Sequence, residues 1–257
     1  MPADVPRSPP VVAVDAAALP SSWMAAGHAR LADGAALLPG LGDVLALAAE
    51  WDALPRDPYL RDGGRYRYRR HGCFVIDVAA ARLELAPHRA HWQSTQYNAL
   101  HGGMQRWFEP MHEATTVLPA WSRLLAWLGR VTSGLKRTAA TAAQEAPWFV
   151  EAHQFRIDTT DGIGRPTPEG AHRDGVDLVA VFLVDREGVK GGETRIFEAT
   201  GPNGQRFTLS EPWSVMLLDD ARMIHETTPI QPDGEHGWRD TLVLTCRRDG
   251  FLEDAGQ

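Results

Sequence analysis

The sequence predicts a mainly β protein with some α structure, in which a jelly roll follows a helical N-terminal half. After residue 145 the apolar runs are short and separated by turn signals without intervening helices, which is typical of an antiparallel sandwich or barrel. Before residue 145, Ala, Trp and Leu dominate and their spacing favours helices. No flexible linker separates the halves, so we expect a single domain over residues 1–257. Its largely helical part, 1–145, is expected to pack on the sheet of a core spanning 147–248.

The N-terminal half is predicted to contain helices and one strand. Helical spacing covers residues 25–38, 41–51 and 120–135, and two prolines bound a short helix between residues 110 and 119. The strand is predicted over residues 66–78, where arginines alternate with tyrosines as on one face of a strand. The many Trp residues of this half are expected to pack in the core, although some of them could line a lid or a dimer contact.

The C-terminal half is predicted to consist of short strands. The apolar runs that indicate them are 148–157, 178–184, 194–197, 206–209, 213–218, 225–230 and 241–246. Gly191–Gly192 and Pro202-Asn203-Gly204 mark two of the turns between them. A jelly roll accommodates this many closely spaced strands.

Composition excludes several classes of protein. The chain has 26 Lys and Arg against 33 Asp and Glu, a net charge of −7, which argues against binding nucleic acid through phosphate neutralisation. The longest run without charged side chains, 90–105, is too polar to span a membrane, and residues 1–10 do not resemble a secretory signal. Cys73 and Cys246 each lie in an apolar run, as buried thiols do in a reducing compartment. We therefore expect a cytoplasmic protein with a small-molecule partner and no nucleic-acid or membrane partner; a homodimer is compatible with the sequence.

A candidate metal site is formed by His172, Asp174 and His225. Two imidazoles and one carboxylate on one face of an ion leave positions open for substrate and oxygen, as in non-haem Fe(II) sites. Residues i and i+2 of an extended segment point the same way, so His172 and Asp174 can reach one ion. Roughly one His-x-Asp pair is expected by chance from composition, and the alternative is a solvated pair near a turn. The glycine-flanked position before an apolar strand favours the metal site.

Arg239 is the candidate anion-binding residue. If the strand containing His225 turned at Pro232-Asp233-Gly234 and returned, Arg239 would lie opposite His225, roughly 5 Å away. Arg239 and Thr241 would then share one face with Val243 and Thr245, which suits a dicarboxylate that chelates the metal with its other end. The alternative is that Arg239 pairs with Asp240 or Glu235 at the surface.

These motifs resemble those of the 2-oxoglutarate/Fe(II)-dependent dioxygenases. The segments Pro168–Gly175, Gly191–Thr194 and His225–Ile230 are similar to the bacterial branch that contains free L-amino-acid hydroxylases of the L-isoleucine dioxygenase type and related biofilm and stress proteins. The resemblance, over residues 147–248, implies a double-stranded β-helix of cupin-like form. It implies Fe(II) bound by His172, Asp174 and His225, with 2-oxoglutarate held by Arg239 and Thr241. It also implies an enzyme that uses O₂ to hydroxylate an unactivated C–H bond.

An amino-acid substrate would require a cation for its carboxylate and an acceptor for its ammonium group. The candidate cations are Arg156, Arg165 and Arg173, and the candidate acceptors are Gln154 and Glu169. The alternative for each is an exposed polar side chain. The pair His88 and His91 is expected to lie on a solvated helical face without a ligand set. Two rival functions remain: a jelly-roll metal protein that does not use 2-oxoglutarate, and a non-catalytic protein with a stress or biofilm role.

Overall fold

The computed structural model describes residues 19–32, 44–136 and 146–253. The helices are α1 (Leu19–Ala26), α2 (Val44–Ala48), which continues as a 3₁₀ turn (Ala49–Ala53), α3 (Glu113–Thr116) and α4 (Pro119–Leu135). The strands of the N-terminal part are β1 (His28–Leu31), β2 (Arg67–Asp77) and β3 (Arg82–Leu85). Those that follow are β4 (Trp148–Asp158), β5 (Leu178–Glu187), β6 (Val189–Gly191), β7 (Thr194–Glu198), β8 (Gly204–Phe207), β9 (Val215–Leu218), β10 (Met223–Thr227), β11 (Ile230–Pro232) and β12 (Trp238–Arg247).

The strands form a jelly roll of antiparallel sheets. The larger sheet has the order β1-β9-β5-β12-β4-β2-β3, and a smaller one has the order β10-β7-β8. Strands β6 and β11 form a short two-stranded sheet beside them. The predicted fold class, mainly β with a jelly-roll core and N-terminal helices, is confirmed. No helix of the described ranges is long and apolar enough to cross a membrane.

The two faces of the larger sheet have different partners. Alternate residues of β12 point to opposite sides, so Leu242, Leu244 and Cys246 join the apolar core that α1 and α4 cover. The other face of the sheet packs against the smaller sheet through a second apolar cluster that includes Val179, Met216 and Ile196. A cavity opens beside this second cluster, between the two sheets.

Most predicted elements are found, and the differences lie in the N-terminal half. The segment 25–38 is not one helix, because Gly27 adopts a φ of +72° at the end of α1 and β1 then pairs with β9; residues 33–38 lie outside the described part. Of the predicted helix 41–51, residues 44–48 form α2 and the following residues continue as the 3₁₀ turn, while residues 41–43 lie outside the described part. Strands β1 and β3 were not predicted, so the N-terminal part contributes three strands to the larger sheet rather than helices alone.

Candidate metal centre and its cavity

His172, Asp174 and His225 lie together at one end of the cavity. Two backbone hydrogen bonds join His172 and His225, with N···O distances of 3.0 and 2.9 Å. His172 Nε2 lies 3.8 Å from Asp174 Oδ1, and His225 Nε2 lies 3.8 Å from Asp174 Oδ2. Both distances are too long for hydrogen bonds. All three ligand atoms lie within 4.8 Å of one another, so they surround a space of the size of a metal ion.

The hydrogen bonding of His172 and the protonation state of His225 suit a metal, while the carboxylates of Asp174 and Glu169 raise the pKa of His172 against the effect of burial. His172 Nδ1–H donates to the carbonyl of Gly170 at 2.9 Å, which leaves the lone pair of Nε2 facing Asp174. Burial, reinforced by the neighbouring His172, lowers the pKa of His225 to about 3. His225 is therefore uncharged at neutral pH, which is the form that binds a metal.

A side chain of the N-terminal part orients Asp174. Gln93 Nε2 donates to Asp174 Oδ1 at 2.8 Å, and Gln93 Oε1 accepts hydrogen bonds from Arg106 and Asn98 at 2.8 and 3.0 Å. Gln93 lies in the loop between β3 and α3, for which the sequence offered no motif. Partners of this kind fix the geometry of a metal ligand.

Asp220 holds the backbone of the Asp174 segment. Its carboxylate accepts hydrogen bonds from the N–H groups of Asp174, Gly175 and Val176 at 2.9, 2.7 and 3.1 Å. Asp220 itself is buried, so no water replaces it as an acceptor. It is therefore a positioning residue for the candidate metal ligand.

Asp220→Ala is expected to weaken Fe(II) binding about 10- to 100-fold, because the segment that carries Asp174 loses three hydrogen bonds to the two carboxylate oxygens at once. Asp220→Asn keeps one carbonyl acceptor and should give an intermediate loss. Calorimetric titration with Fe(II) under argon measures both, and circular dichroism checks that the variants are folded. Unchanged affinity in both folded variants would contradict this role.

Arg239 lies across the cavity from His225 rather than beside it. The predicted hairpin is wrong, because β10 pairs with β7 in the smaller sheet whereas β12 lies between β4 and β5 in the larger one. The predicted face is nevertheless correct, since Arg239, Thr241, Val243 and Thr245 all line the cavity. The surface alternative does not apply to Asp240, because Asp240 accepts two hydrogen bonds from Arg156 at 2.8 and 2.6 Å.

Arg239 is a buried cation without a counterion. It is 3% exposed and makes no ion pair or hydrogen bond with any residue in the described ranges. Burial and the neighbouring Arg186 lower its pKa to about 10, so it stays charged at neutral pH. A buried unpaired charge is unfavourable, which favours an anionic ligand at this position, with the Thr241 hydroxyl beside it.

Of the substrate residues that the sequence suggested, only Glu169 lines the cavity. Gln154 lies on the opposite face of β4, next to the core residue Ala152. Arg156, on the same opposite face, pairs with Asp52 and Asp240. A ligand in the cavity cannot reach these two side chains, because the sheet lies between them and it.

Two further arginines lie outside the cavity. Arg173 stacks over Tyr97 at 5.2 Å and donates to the carbonyl of Ala221, while Arg165 lies 3.5 Å from Asp62. Neither lines the cavity, although Arg173 immediately follows His172 in the chain. Adjacent residues of an extended segment point to opposite sides, which explains the orientation of Arg173.

A second cluster of possible ligands consists of His71, His91, Glu151 and His153, all buried. His91 was expected on a solvated face but is buried, because His71 on β2 and Glu151 and His153 on β4 pack against it. Glu151 Oε2 lies 2.9 Å from His71 Nε2 and 2.6 Å from His91 Nδ1, so both imidazoles donate to the carboxylate. Glu151 and His153 line the cavity as well.

Arg69 opposes metal binding by this second cluster. Its Nη2 donates to His153 Nδ1 at 2.7 Å, so neutral His153 carries its proton on Nε2, the atom that faces Glu151. The guanidinium is held between the rings of Phe108 and Phe155, 3.6 and 4.3 Å from their centroids. The cluster is thus a hydrogen-bonded network with a fixed cation beside it.

We therefore expect one tightly bound iron per chain rather than two. Elemental analysis after anaerobic loading with Fe(II) and gel filtration measures the ratio. His153→Gln should leave the ratio at one, because this imidazole presents a protonated nitrogen to Glu151. A ratio of two in the wild type that falls to one in this variant would contradict the interpretation.

Stability is expected to fall as the pH decreases from about 6.5 to 4. Burial lowers the pKa of both His91 and His101 to about 4, so each stays neutral in the fold but takes up a proton when unfolded. Each contributes up to about 1.4 kcal/mol of lost stability per pH unit in this window. Urea unfolding of the metal-free protein at pH 7.5, 6 and 5 measures the loss, and equal stability at all three would contradict it.

Comparisons with known proteins agree with this geometry. A family model described as 2OG-Fe dioxygenase matches residues 48–245. The crystal structure of a bsmA homolog from Methylobium petroleophilum PM1 is 49% identical, with 96% of this chain and 98% of that chain covered and a TM-score of 0.86. No curated protein matches.

More distant solved structures share the fold. IDO from Bacillus thuringiensis is 16% identical, with 89% of this chain and 93% of that chain covered and a TM-score of 0.71. The Fe(II)/(alpha)ketoglutarate-dependent dioxygenase TqaL is 20% identical, with coverage of 90% and 85% and a TM-score of 0.67. Because the family model spans most of its length, the chain belongs to the 2OG-Fe dioxygenase family, enzymes that use Fe(II), 2-oxoglutarate and O₂.

Proposed function

We propose that His172, Asp174 and His225 bind Fe(II), that Arg239 and Thr241 bind 2-oxoglutarate, and that the enzyme hydroxylates a free aliphatic L-amino acid. The observation that carries the proposal is one cavity with the two-histidine, one-carboxylate group at one side and an unpaired buried arginine at the other. A metal-only jelly-roll protein has no need of a buried cation in that position.

The three ligand residues fit an iron that exchanges its other ligands. They supply three donor atoms on one side, and the cavity lies on the other, where co-substrate and oxygen would enter. Bound iron supplies the oxidative chemistry that converts 2-oxoglutarate and O₂ to succinate and CO₂ while a C–H bond is hydroxylated. The chain holds the ligands in place through Gly170, Gln93 and Asp220.

The lining of the cavity supports a small substrate with an aliphatic part. Its empty volume is about 980 Å³ when the space open to solvent is included, and the cavity extends from the metal ligands to Arg239. Apolar side chains near the ligands form a surface for an aliphatic chain: Val176, Val181, Met216 and Val243. The resemblance of the motif segments to amino-acid hydroxylases of the L-isoleucine dioxygenase type favours the same substrate class.

The proposal is tested by incubating the Fe(II)-loaded enzyme with 2-oxoglutarate, O₂ and each aliphatic L-amino acid in turn. Mass spectrometry detects an amino acid heavier by one oxygen, and succinate is measured in the same sample. Equal amounts of both products, absent without 2-oxoglutarate, support the proposal. Oxygenation of another class of small molecule alone would overturn the amino-acid assignment, and binding of 2-oxoglutarate without succinate from any substrate would favour a sensing role.

A further inference from the structure

Strand β2 and the loop before α3 form one end of the cavity. Polar atoms of positively and negatively charged side chains lie there without hydrogen-bond partners in the described ranges. Arg67 Nη2, Arg106 Nε, His101 Nε2 and Glu169 Oε2 are buried and lack a hydrogen-bond partner in the described ranges. All four residues line the cavity. Buried polar groups are nearly always paired, so four unpaired ones around one space indicate a ligand that completes them.

We infer that this end of the cavity binds the carboxylate of the substrate through Arg67 and Arg106 and its ammonium group through Glu169. The inference rests on the proposed function, and it assigns residues to a substrate that is a zwitterion. His101, uncharged at neutral pH because burial and the nearby Arg67 lower its pKa, adds a neutral donor or acceptor between the two charged groups.

The two arginines are fixed before any ligand arrives. Arg67 Nε donates to Asp57 at 2.7 Å, and both side chains are almost completely buried. Arg106 Nη2 donates to Gln93, the residue that also holds Asp174. The remaining guanidinium atoms cannot rotate towards other partners without breaking these bonds, so they present a rigid anion site.

This anion site is separate from that of Arg239. In the sheet Arg67 lies beside Ile157 on one side, and Arg239 lies beside the same Ile157 on the other. Two strand spacings place their Cα atoms roughly 10 Å apart. A second carboxylate can therefore bind near Arg67 while 2-oxoglutarate occupies Arg239.

The charges around the cavity select a ligand without net charge. Four arginines line it, Arg67, Arg69, Arg106 and Arg239. Their charges are balanced by three lining carboxylates, Glu151, Glu169 and Asp174, and by Asp57, which does not line the cavity but pairs with Arg67. The two positive charges of a divalent metal and the two negative charges of 2-oxoglutarate also cancel. The remaining ligand is then favoured when its own positive and negative groups balance, as in a free amino acid.

Glu169 places the ammonium group close to the metal ligands. Its Oε1 lies 3.6 Å from His172 Nε2, and its Oε2 is the buried oxygen without a partner. A carboxylate in this environment favours a cation that donates hydrogen bonds. The substrate would thus extend from Arg67 past Glu169 towards the metal.

The test is calorimetric titration of the anaerobic enzyme, loaded with Fe(II) and 2-oxoglutarate, with L-isoleucine, L-leucine and L-valine. The one that binds most tightly is compared with its amide, which lacks the carboxylate, and with the carboxylic acid that lacks the amino group. Each analogue is expected to bind about 30-fold more weakly or worse. An amide or a desamino acid that binds as tightly as the amino acid overturns the inference.

Variants assign the two groups to residues. Arg67→Lys keeps a cation for Asp57. It should weaken binding of the amino acid about 10-fold and leave binding of the amide unchanged. Glu169→Gln should weaken binding of the amino acid but not binding of the carboxylic acid that lacks the amino group. Arg65→Lys, an exposed position two residues before Arg67 that pairs with Asp161, is the matched control and should change nothing. Equal weakening of an analogue and its parent in either variant contradicts the assignment.

The absorption band of the iron–2-oxoglutarate complex is recorded on the same samples. A band without binding of any of the three amino acids overturns this inference and leaves the metal and co-substrate assignment standing. Absence of the band overturns the proposed function instead.

Discussion

Replacing His225 by alanine is expected to lower iron affinity more than about 100-fold and to abolish succinate formation. The reason is that His225 supplies one of three ligand atoms, and loss of a residue that merely supports a ligand already reduces metal affinity about 10- to 100-fold. Metal binding is measured by anaerobic titration and succinate by chromatography after incubation with O₂. Retained turnover with bound iron would contradict the assignment of the ligand.

The matched control for this variant is His236→Ala. His236 is an exposed histidine outside the cavity, so its removal should alter neither iron binding nor turnover. The fold of both variants is checked by their unfolding curves, since His225 is buried between the sheets. A loss common to both variants would point to a general effect of removing histidine rather than to the metal.

Arg239→Ala is expected to raise the KM for 2-oxoglutarate about 30- to several thousand-fold. Truncating one partner of a buried charged pair costs about 2 to 5 kcal/mol, and the fold-change follows from that range. Arg239 has no protein partner in the described ranges, so the variant should remain folded. The measurement is the dependence of succinate formation on 2-oxoglutarate concentration.

Arg239→Lys distinguishes charge from geometry. Lysine retains the cation but cannot form the two parallel hydrogen bonds of a guanidinium with a carboxylate, so its KM should lie between those of the wild type and the alanine variant. An unchanged KM in both variants would favour the rival in which the cavity binds a metal without 2-oxoglutarate.

The sequence predicted those site residues whose arrangement follows from local patterns along one strand or segment. His172 and Asp174 are two residues apart in an extended segment, so their common direction follows from strand geometry. The alternation that places Arg239 and Thr241 on one face is likewise local and was found as predicted. The pairing of their strand was not, because sheet order depends on contacts between distant segments, and β12 pairs with β4 rather than with β10.

The opposite side of the cavity could not be predicted in the same way. Arg67 and Arg69 alternate along β2 as expected, but the sequence does not show that this face is buried against the loop that carries Gln93 and Arg106. Gln154 and Arg156 were suggested for the substrate as an acceptor and a cation, yet the alternation along β4 places them on the face away from the cavity.

Binding of Fe(II) and 2-oxoglutarate in one cavity is tested by an anaerobic titration of the metal-free protein with both, recorded in the visible range. We expect a metal-to-ligand charge-transfer band in the wild type, its loss in His225→Ala, and a band in Arg239→Ala that appears only at much higher 2-oxoglutarate concentration. A wild-type protein that binds iron but shows no band at saturating 2-oxoglutarate would contradict the central claim that one cavity holds both.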